Sequence, residues 1–353
     1  MPAATDQERF LDVDFGRVAG HLDTGPLAGK RIFVTGGTGF FGLWLLTAFA
    51  HLVARGTHLE VFVLSRDPNR FLLRFPHFRN VSWLSFVTGD VTNYRWPPGP
   101  FDFFIHAATE TSARAHRDPL TIFDTIVSGT RRALDHAVEA NAQRFLLVSS
   151  GAVYGAFPAN IQQVPESAPF ACDPLIPGHA YGESKRSAEM LSALYRQRYG
   201  IGTVVARGFA FVGPGLPLDG HFAIGNFIRD AIHAPEILVK GNGSPIRSYL
   251  YGADLAVWLL TILTKGATGC CYNLGSDEGI GIRELAHLVR DLLAPGTPVR
   301  IMGSLGTSEP RQVYVPDISR ARHDLKLDVW TPLATAILGT AHWNGLAGTE
   351  VAG

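Results

Sequence analysis

Cysteine is scarce in this chain: three among 353 residues, at Cys172, Cys270 and Cys271. That number and spacing exclude a disulfide framework and a zinc cluster. They point to a reducing compartment, the cytosol. Neither sign of charge dominates, because 31 Lys+Arg balance 31 Asp+Glu. A nucleic-acid footprint or a membrane-surface patch would need an excess of positive charge. No apolar run reaches the length of a membrane span, and the opening residues MPAATDQERF lack the apolar segment of a signal peptide. The 13 His residues form no H-x-x-x-H or H-E-x-x-H pair, so no metal centre is expected. Internal repeats and low-complexity runs are missing too. What the chain has is apolar residues, 46% of the total, and 38 glycines. That suits one large α/β domain, or a domain with a smaller lobe.

Periodicity then orders the chain. Residues 30–35 read as a buried strand, 36–42 as a tight glycine turn and 43–55 as an apolar helix. Further β-rich runs lie at 59–65, 83–87, 101–106, 144–149 and 202–206, with helical patterns at 119–140 and 181–199. This alternation predicts α/β architecture: a Rossmann-type, doubly wound parallel sheet. Beyond about residue 213 the pattern loosens. The expected division is an N-terminal extension over 1–28, a dinucleotide-binding domain over 29–212, and mainly a smaller substrate lobe over 213–353. Within the last, 248–290 is expected to return to the first domain. Residues 7–21 read either as a short helix packed on the core or as a loose tail.

The glycine turn carries the first chemistry. Gly36 permits a tight turn, Gly39 lets backbone approach a pyrophosphate, and Gly42 lets the helix pack close to the sheet. Phe40 and Phe41 lie within this turn as expected cofactor contacts, and the free N–H groups of the helix that follows face the phosphates. At the end of the second strand, Ser65 stands where an acid would accept a ribose hydroxyl of NAD, and Arg66 follows it. A hydroxyl and a guanidinium suit a 2′-phosphate, so NADP is favoured; Asp67, two residues on, keeps NAD open. The second chemistry is Tyr181-Gly-Glu-Ser-Lys185, which sets a phenol and an amine one helical turn apart. An ammonium lowers the pKa of a nearby phenol. A Tyr so tuned can take a proton from an alcohol while hydride leaves the same carbon.

These residues resemble the extended short-chain dehydrogenase/reductase superfamily, and within it the nucleotide-sugar epimerase/dehydratase family. The likeness runs from Lys30 to Trp343. Its markers are T-G-G-T-G-F-F-G (35–42), G-D-V (89–91), H-A-A-T (106–109), S-S-G-A-V-Y-G (149–155), Y-G-E-S-K (181–185) and G-N-G-S-P-I-R-S-Y-L-Y-G-A-D-L-A (241–256). The resemblance implies that Asp90 and Val91 lie at the adenine. It places Ala107, Ala108 and Thr109 along the central ribose and phosphates, with Ser149 also on the cofactor. Ser150 would bond the reacting sugar oxygen, Tyr181 would be the base, and Lys185 would bind the nicotinamide ribose and lower the pKa of the Tyr. Arg247 would grip the substrate's diphosphate, with Thr109, Asn226 and Arg311 also at the substrate.

Departures narrow the reaction. Dehydratases of this kind carry Asp-Glu where this chain has Gly151-Ala152, and a decarboxylase group has Glu at the Ala152 position. Neither residue here can transfer a proton. The leading expectation is therefore a C4 epimerase working through a 4-keto sugar. A 4,6-dehydratase, a 4-ketoreductase and a non-catalytic NADP sensor stay open, and Glu110 is a conceivable replacement acid. Ile126 and Ala210 stand where the family often has Asn, and Thr307 where it often has Arg, with Arg311 as a substitute. His179 reads as a helix cap, a solvent-facing group or a pocket residue. Two subunits are expected to pair through helices within 119–140 and 181–199. Leu120, Phe123, Ile126, Val127 and Leu134 form an apolar stripe on the first, which core packing within one chain would produce equally.

Overall fold

The computed structural model describes residues 4–109, 118–158, 160–220, 222–303 and 312–346. It opens on helix α1 (Ala4–Gly16) and then alternates: β1 (Lys30–Thr35), α2 (Phe40–Ala54), β2 (Leu59–Ser65), α3 (Pro68–Arg74), β3 (Leu84–Thr88), β4 (Phe103–His106), α4 (Pro119–Glu139), β5 (Arg144–Ser150), α5 (Ala180–Tyr199) and β6 (Gly202–Gly208). Short strands and helices follow: β7 (Phe211–Val212), α6 (Ala223–His233), β8 (Ile237–Val239), β9 (Ile246–Arg247), β10 (Leu250–Tyr251) and α7 (Gly252–Lys265). The last part holds β11 (Cys271–Leu274), β12 (Ile280–Gly281), α8 (Ile282–Leu293), β13 (Val299–Ile301), β14 (Val313–Tyr314), α9 (Ser319–Leu325) and α10 (Leu333–Trp343).

Seven parallel strands make one sheet, in the order β11-β6-β5-β4-β1-β2-β3. Helices cover both faces, so the inner strands are apolar on both sides; Ile32, Phe33, Val34 and Thr35 are all buried. Strand order reverses between β1 and β4, and ligands of such sheets bind at the carboxyl ends beside that switch. Three small sheets, β7 with β10, β8 with β13, and β9 between β12 and β14, are built from the later chain.

Local chemistry sets the helix ends that matter. Asp118 caps α4 by accepting the Thr121 N–H at 3.1 Å, with Pro119 at the first helical position. Gly200, left-handed at φ 74°, ends α5. Helix α2 begins at Phe40, three residues before the expected 43, because the last residues of the glycine turn are already helical. The seventh strand, β11, was not expected from its four residues. The α4 stripe divides: Ile126 and Leu134 are core, whereas Leu120 is 72% exposed.

Of the two readings for residues 7–21, the structure takes the helix. Leu11, Phe15 and Val18 are buried, and Phe10 stacks on His342 of α10 at 5.3 Å, so the two ends of the described chain meet. Asp14 is buried there and hydrogen-bonded by the Tyr251 hydroxyl. Burial pushes its carboxyl from 3.8 up to about 6. A raised folded-state pKa stabilises the fold below the unfolded value and loses that contribution as pH rises through the folded one. Thermal melts of the wild type and Asp14→Asn are expected to diverge between about pH 4 and 6, with the wild type losing up to ~3 kcal/mol relative to the variant. Parallel pH curves would remove Asp14 from the account.

Candidate active site

The glycine turn and the exit of β4 form one cradle. Gly36 has φ 76°, and a Cβ there would lie 2.6 Å from the Ala107 carbonyl. At Gly42 a Cβ would come within 2.1 Å of the Gly37 backbone, so the helix can start there only with glycine. Gly39 differs: its nearest neighbour would be the Gly36 carbonyl oxygen at 3.5 Å, an ordinary contact. Its space is therefore open to a ligand, and α2 begins there without a side-chain cap. These features fit a dinucleotide pyrophosphate. Phe41 packs edge-on against Phe211 at 4.7 Å and next to Phe40.

A buried relay fixes the Ala107–Ala108–Thr109 loop, and no sequence pattern disclosed it. Thr35 Oγ1 accepts the Ala108 N–H at 3.2 Å and bonds His106 Nδ1 at 2.8 Å, while His106 Nε2 meets Thr130 Oγ1 at 3.1 Å. Burial drives the His106 imidazole down to about 3, so it stays neutral. At the adjacent strand ends, Ser65 Oγ meets Thr38 Oγ1 at 3.2 Å and Arg66 is exposed near Asp90. Asp67 caps α3, accepting the Arg70 N–H at 3.0 Å. Burial opposes ionisation of Asp90, but hydrogen bonds from Thr92 and the charge of Arg66 hold its carboxyl below the usual range. Val91 packs on Gly129 of α4.

Ser150, Tyr181 and Lys185 converge at the end of β5. Ser150 Oγ accepts the Ala152 N–H at 3.1 Å and is in hydrogen-bonding contact with the Tyr181 phenol. Lys185 is buried in the next turn of α5; its Nζ donates to Thr109 Oγ1 at 2.7 Å and to the Val148 carbonyl at 2.8 Å. Gly182 makes this approach possible, since a Cβ there would lie 2.4 Å from Cys172 Sγ and 2.7 Å from the Ala152 carbonyl oxygen. The expectation that Lys185 lowers the Tyr181 pKa needs correction for the protein alone. Burial raises the phenol, the Ser150 contact offsets it in part, and the Lys185 ammonium is committed to Thr109 and Val148. Burial also pulls Lys185 down to about 8, against the charge of Glu189.

Tyr314 is the site residue that sequence reasoning missed. Its phenol contacts Ser150, and burial raises it. Strand pairing sets Tyr314 opposite Arg247, whose guanidinium lies 5.6 Å over the Tyr314 ring. Arg247 Nη1 donates to the Ile246 and Gln312 carbonyls at 2.8 and 3.2 Å. The same phenol closes the space beside Gly151: a Cβ there would meet the Tyr314 hydroxyl at 2.7 Å and the Phe209 ring at 2.9 Å. Other expected residues stand apart. The Ser149 hydroxyl turns to Glu189 Oε1 at 2.6 Å. Asn226 Oδ1 accepts from Arg229 at 3.1 Å, and no hydrogen bond among the described residues joins it to Arg247. His179 Nδ1 takes the Asp173 N–H at 3.1 Å, at the start of α5. Glu110, Thr307 and Arg311 lie outside the described residues. Among the described residues there is no metal-ligating cluster, and no helix is long and apolar enough to cross a membrane.

Comparison with known proteins agrees with this fold. The family model described as "NAD dependent epimerase/dehydratase family" matches residues 32–275. UDP-glucuronic acid decarboxylase 1 of Arabidopsis thaliana is 30% identical over 86% of this chain, and the match spans 66% of that protein, just under two thirds. The low-salt glycan biosynthesis protein Agl12 of Haloferax volcanii is 28% identical over 90% of this chain and 96% of its own. Among solved structures, UDP-glucose 4-epimerase from Thermotoga maritima covers 89% of this chain and 98% of its own with a TM-score of 0.73 at 21% identity. The dTDP-glucose 4,6-dehydratase DesIV of Streptomyces venezuelae, bound to NAD and TYD, covers 89% and 96% with a TM-score of 0.74 at 24% identity. At these identities the two structures establish the fold alone.

Proposed function

Because the chain belongs to the NAD dependent epimerase/dehydratase family, we propose that it is a nucleotide-sugar epimerase acting at C4. One observation carries the choice of reaction. Ser150, Tyr181 and Lys185 are assembled, while the adjoining Gly151 and Ala152 bear no proton-transferring group, and Tyr314 and Phe209 fill the space a larger side chain at 151 would need. Elimination and decarboxylation need an extra acid or base there; reversible oxidation of one carbon does not.

In this reading Tyr181 takes the proton of the 4-hydroxyl, and Ser150 holds the same oxygen with Tyr314 behind it. Tyr181 returns the proton after the 4-keto sugar has presented its other face. Lys185 fixes Thr109 and the β5 end, and would bind the nicotinamide ribose. A bound oxidised dinucleotide supplies the hydride acceptor and a positive charge that favours the Tyr181 phenolate. Gly36, Gly39, Phe40, Phe41 and Gly42 would hold its pyrophosphate. The Ile246 and Gln312 carbonyls engage Nη1 of Arg247, so Nε and Nη2 would be the donors for a diphosphate, which a guanidinium binds bidentately. Residues 213–353 would supply most of the sugar-binding lobe. The test is a panel of nucleotide sugars followed by NMR: an epimer at C4 is expected, and loss of water or carbon dioxide would refute this assignment.

For the dinucleotide, a buried hydroxyl at Ser65, a guanidinium at Arg66 and an Asp67 committed to capping α3 support NADP. Denaturing the purified protein should release NADP; release of NAD alone would overturn the preference. A homodimer through α4 and α5 is also proposed, because Leu120, Met190 and Leu194 on these two packed helices are 72%, 61% and 50% exposed. Met190→Asp with Leu194→Asp should shift light scattering from dimer to monomer mass; a wild type already monomeric would contradict it.

A further inference from the structure

Behind Ser150 and Lys185 runs a set of part-buried polar contacts that this chemistry leaves unused. Ser149, next to Ser150 on β5, donates its hydroxyl to Glu189 Oε1 at 2.6 Å. Glu189 lies one helical turn past Lys185 on α5. Arg207 of β6 grips both carboxylate oxygens, Nε to Oε1 at 3.0 Å and Nη2 to Oε2 at 2.7 Å. Its Nη1 donates to the Tyr154 hydroxyl at 2.9 Å, and Tyr154 donates to Asn273 Oδ1 at 2.8 Å on β11. Two central strands and the catalytic helix are thereby tied at one point. A part-buried ion pair of this kind adds little net stability, so its placement behind the site points to a role in the site.

Lys185 itself touches only a hydroxyl and a carbonyl among the described residues. The charged and titratable groups that face it or its neighbour are few. Tyr181 and Glu189 share its helix, His106 faces it from β4, and Arg207 sits behind Glu189; Tyr154, Cys271 of β11, Glu166 and Arg320 lie around Arg207 and Cys271. His106 is neutral, and Arg207 is matched by Glu189.

We propose that Glu189, fixed by Arg207, is a positioning residue: it anchors the Ser149–Ser150 strand end and supplies the negative charge that keeps Lys185 an ammonium beside Tyr181. This rests on the reading of Ser150, Tyr181 and Lys185 as the reacting set. The first arm of its test needs neither substrate nor turnover. Competitive labelling with acetic anhydride, read by mass spectrometry across neutral to alkaline pH, gives the titration midpoint of Lys185. In Glu189→Gln the midpoint should fall by about one unit, close to a tenfold rise in the neutral amine below the midpoint. An unmoved midpoint overturns the proposal. Glu189→Asp keeps the charge but draws the carboxylate back from Ser149. It should hold the midpoint within about a third of a unit while kcat falls at least fivefold and dinucleotide affinity is retained. If Glu189→Gln fails to fold, the aspartate variant still decides: a midpoint displaced by a full unit, or kcat unchanged, contradicts it. A failed nucleotide-sugar panel would leave the labelling result standing, so the two readings fail separately.

Discussion

Tyr181→Phe is expected to lower turnover by roughly 10³-fold while dinucleotide affinity stays within about threefold. The substitution keeps the aromatic body and removes one oxygen. Ser150 and Tyr314 remain, but Ser150 is an aliphatic alcohol and burial raises the Tyr314 phenol. The size of the loss follows from the chemistry removed, since proton transfer by a placed group contributes about two to four decades. Initial-rate kinetics on an accepted nucleotide sugar, with dinucleotide binding followed by fluorescence, measures both quantities. Turnover within a few-fold of wild type would remove Tyr181 from the mechanism.

Two alanine substitutions in the glycine turn should separate folding from cofactor binding. Gly42→Ala places a Cβ within 2.1–2.3 Å of the Gly37 backbone. Backbone cannot swing aside as a side-chain tip can, so α2 must shift off the sheet. Urea denaturation should show a loss of ~3 kcal/mol, the upper range for overpacking. Gly39→Ala meets only the Gly36 carbonyl oxygen at 3.5 Å, and its backbone, φ −90° and ψ −170°, is open to any residue. Its stability should stay within ~1 kcal/mol of wild type, while dinucleotide affinity falls at least about tenfold because the methyl fills the pyrophosphate's space. Unchanged affinity in Gly39→Ala would mean that the turn does not hold the cofactor.

Much of this was legible in the sequence because it is local. A β-branched run, glycines three apart and an apolar helix define the β1–α2 unit within 25 residues of chain, from Lys30 to Ala54. Tyr181 and Lys185 share a helix face by spacing alone. What escaped reading depends on partners distant in sequence. The four residues of β11 show no periodicity and become a strand only by pairing with β6. Tyr314 reaches Ser150 through a two-residue strand paired with Arg247. Lys185 meets Thr109 across 76 positions. The α4 stripe left pairing and core packing open because a helix packed on both a sheet and a second helix is apolar on more than one face, so one pattern held both core and exposed residues.

The central claim, oxidation and return of hydride at one carbon, is tested most directly by running the reaction in deuterium oxide. The product sugar is read by NMR and mass spectrometry. The expected product is inverted at C4, unchanged in mass, free of carbon-bound deuterium, and formed without net change in dinucleotide absorbance. A product lighter by water or carbon dioxide, or one carrying deuterium at C5, would show that this site eliminates or decarboxylates and would contradict the account built on Gly151 and Ala152.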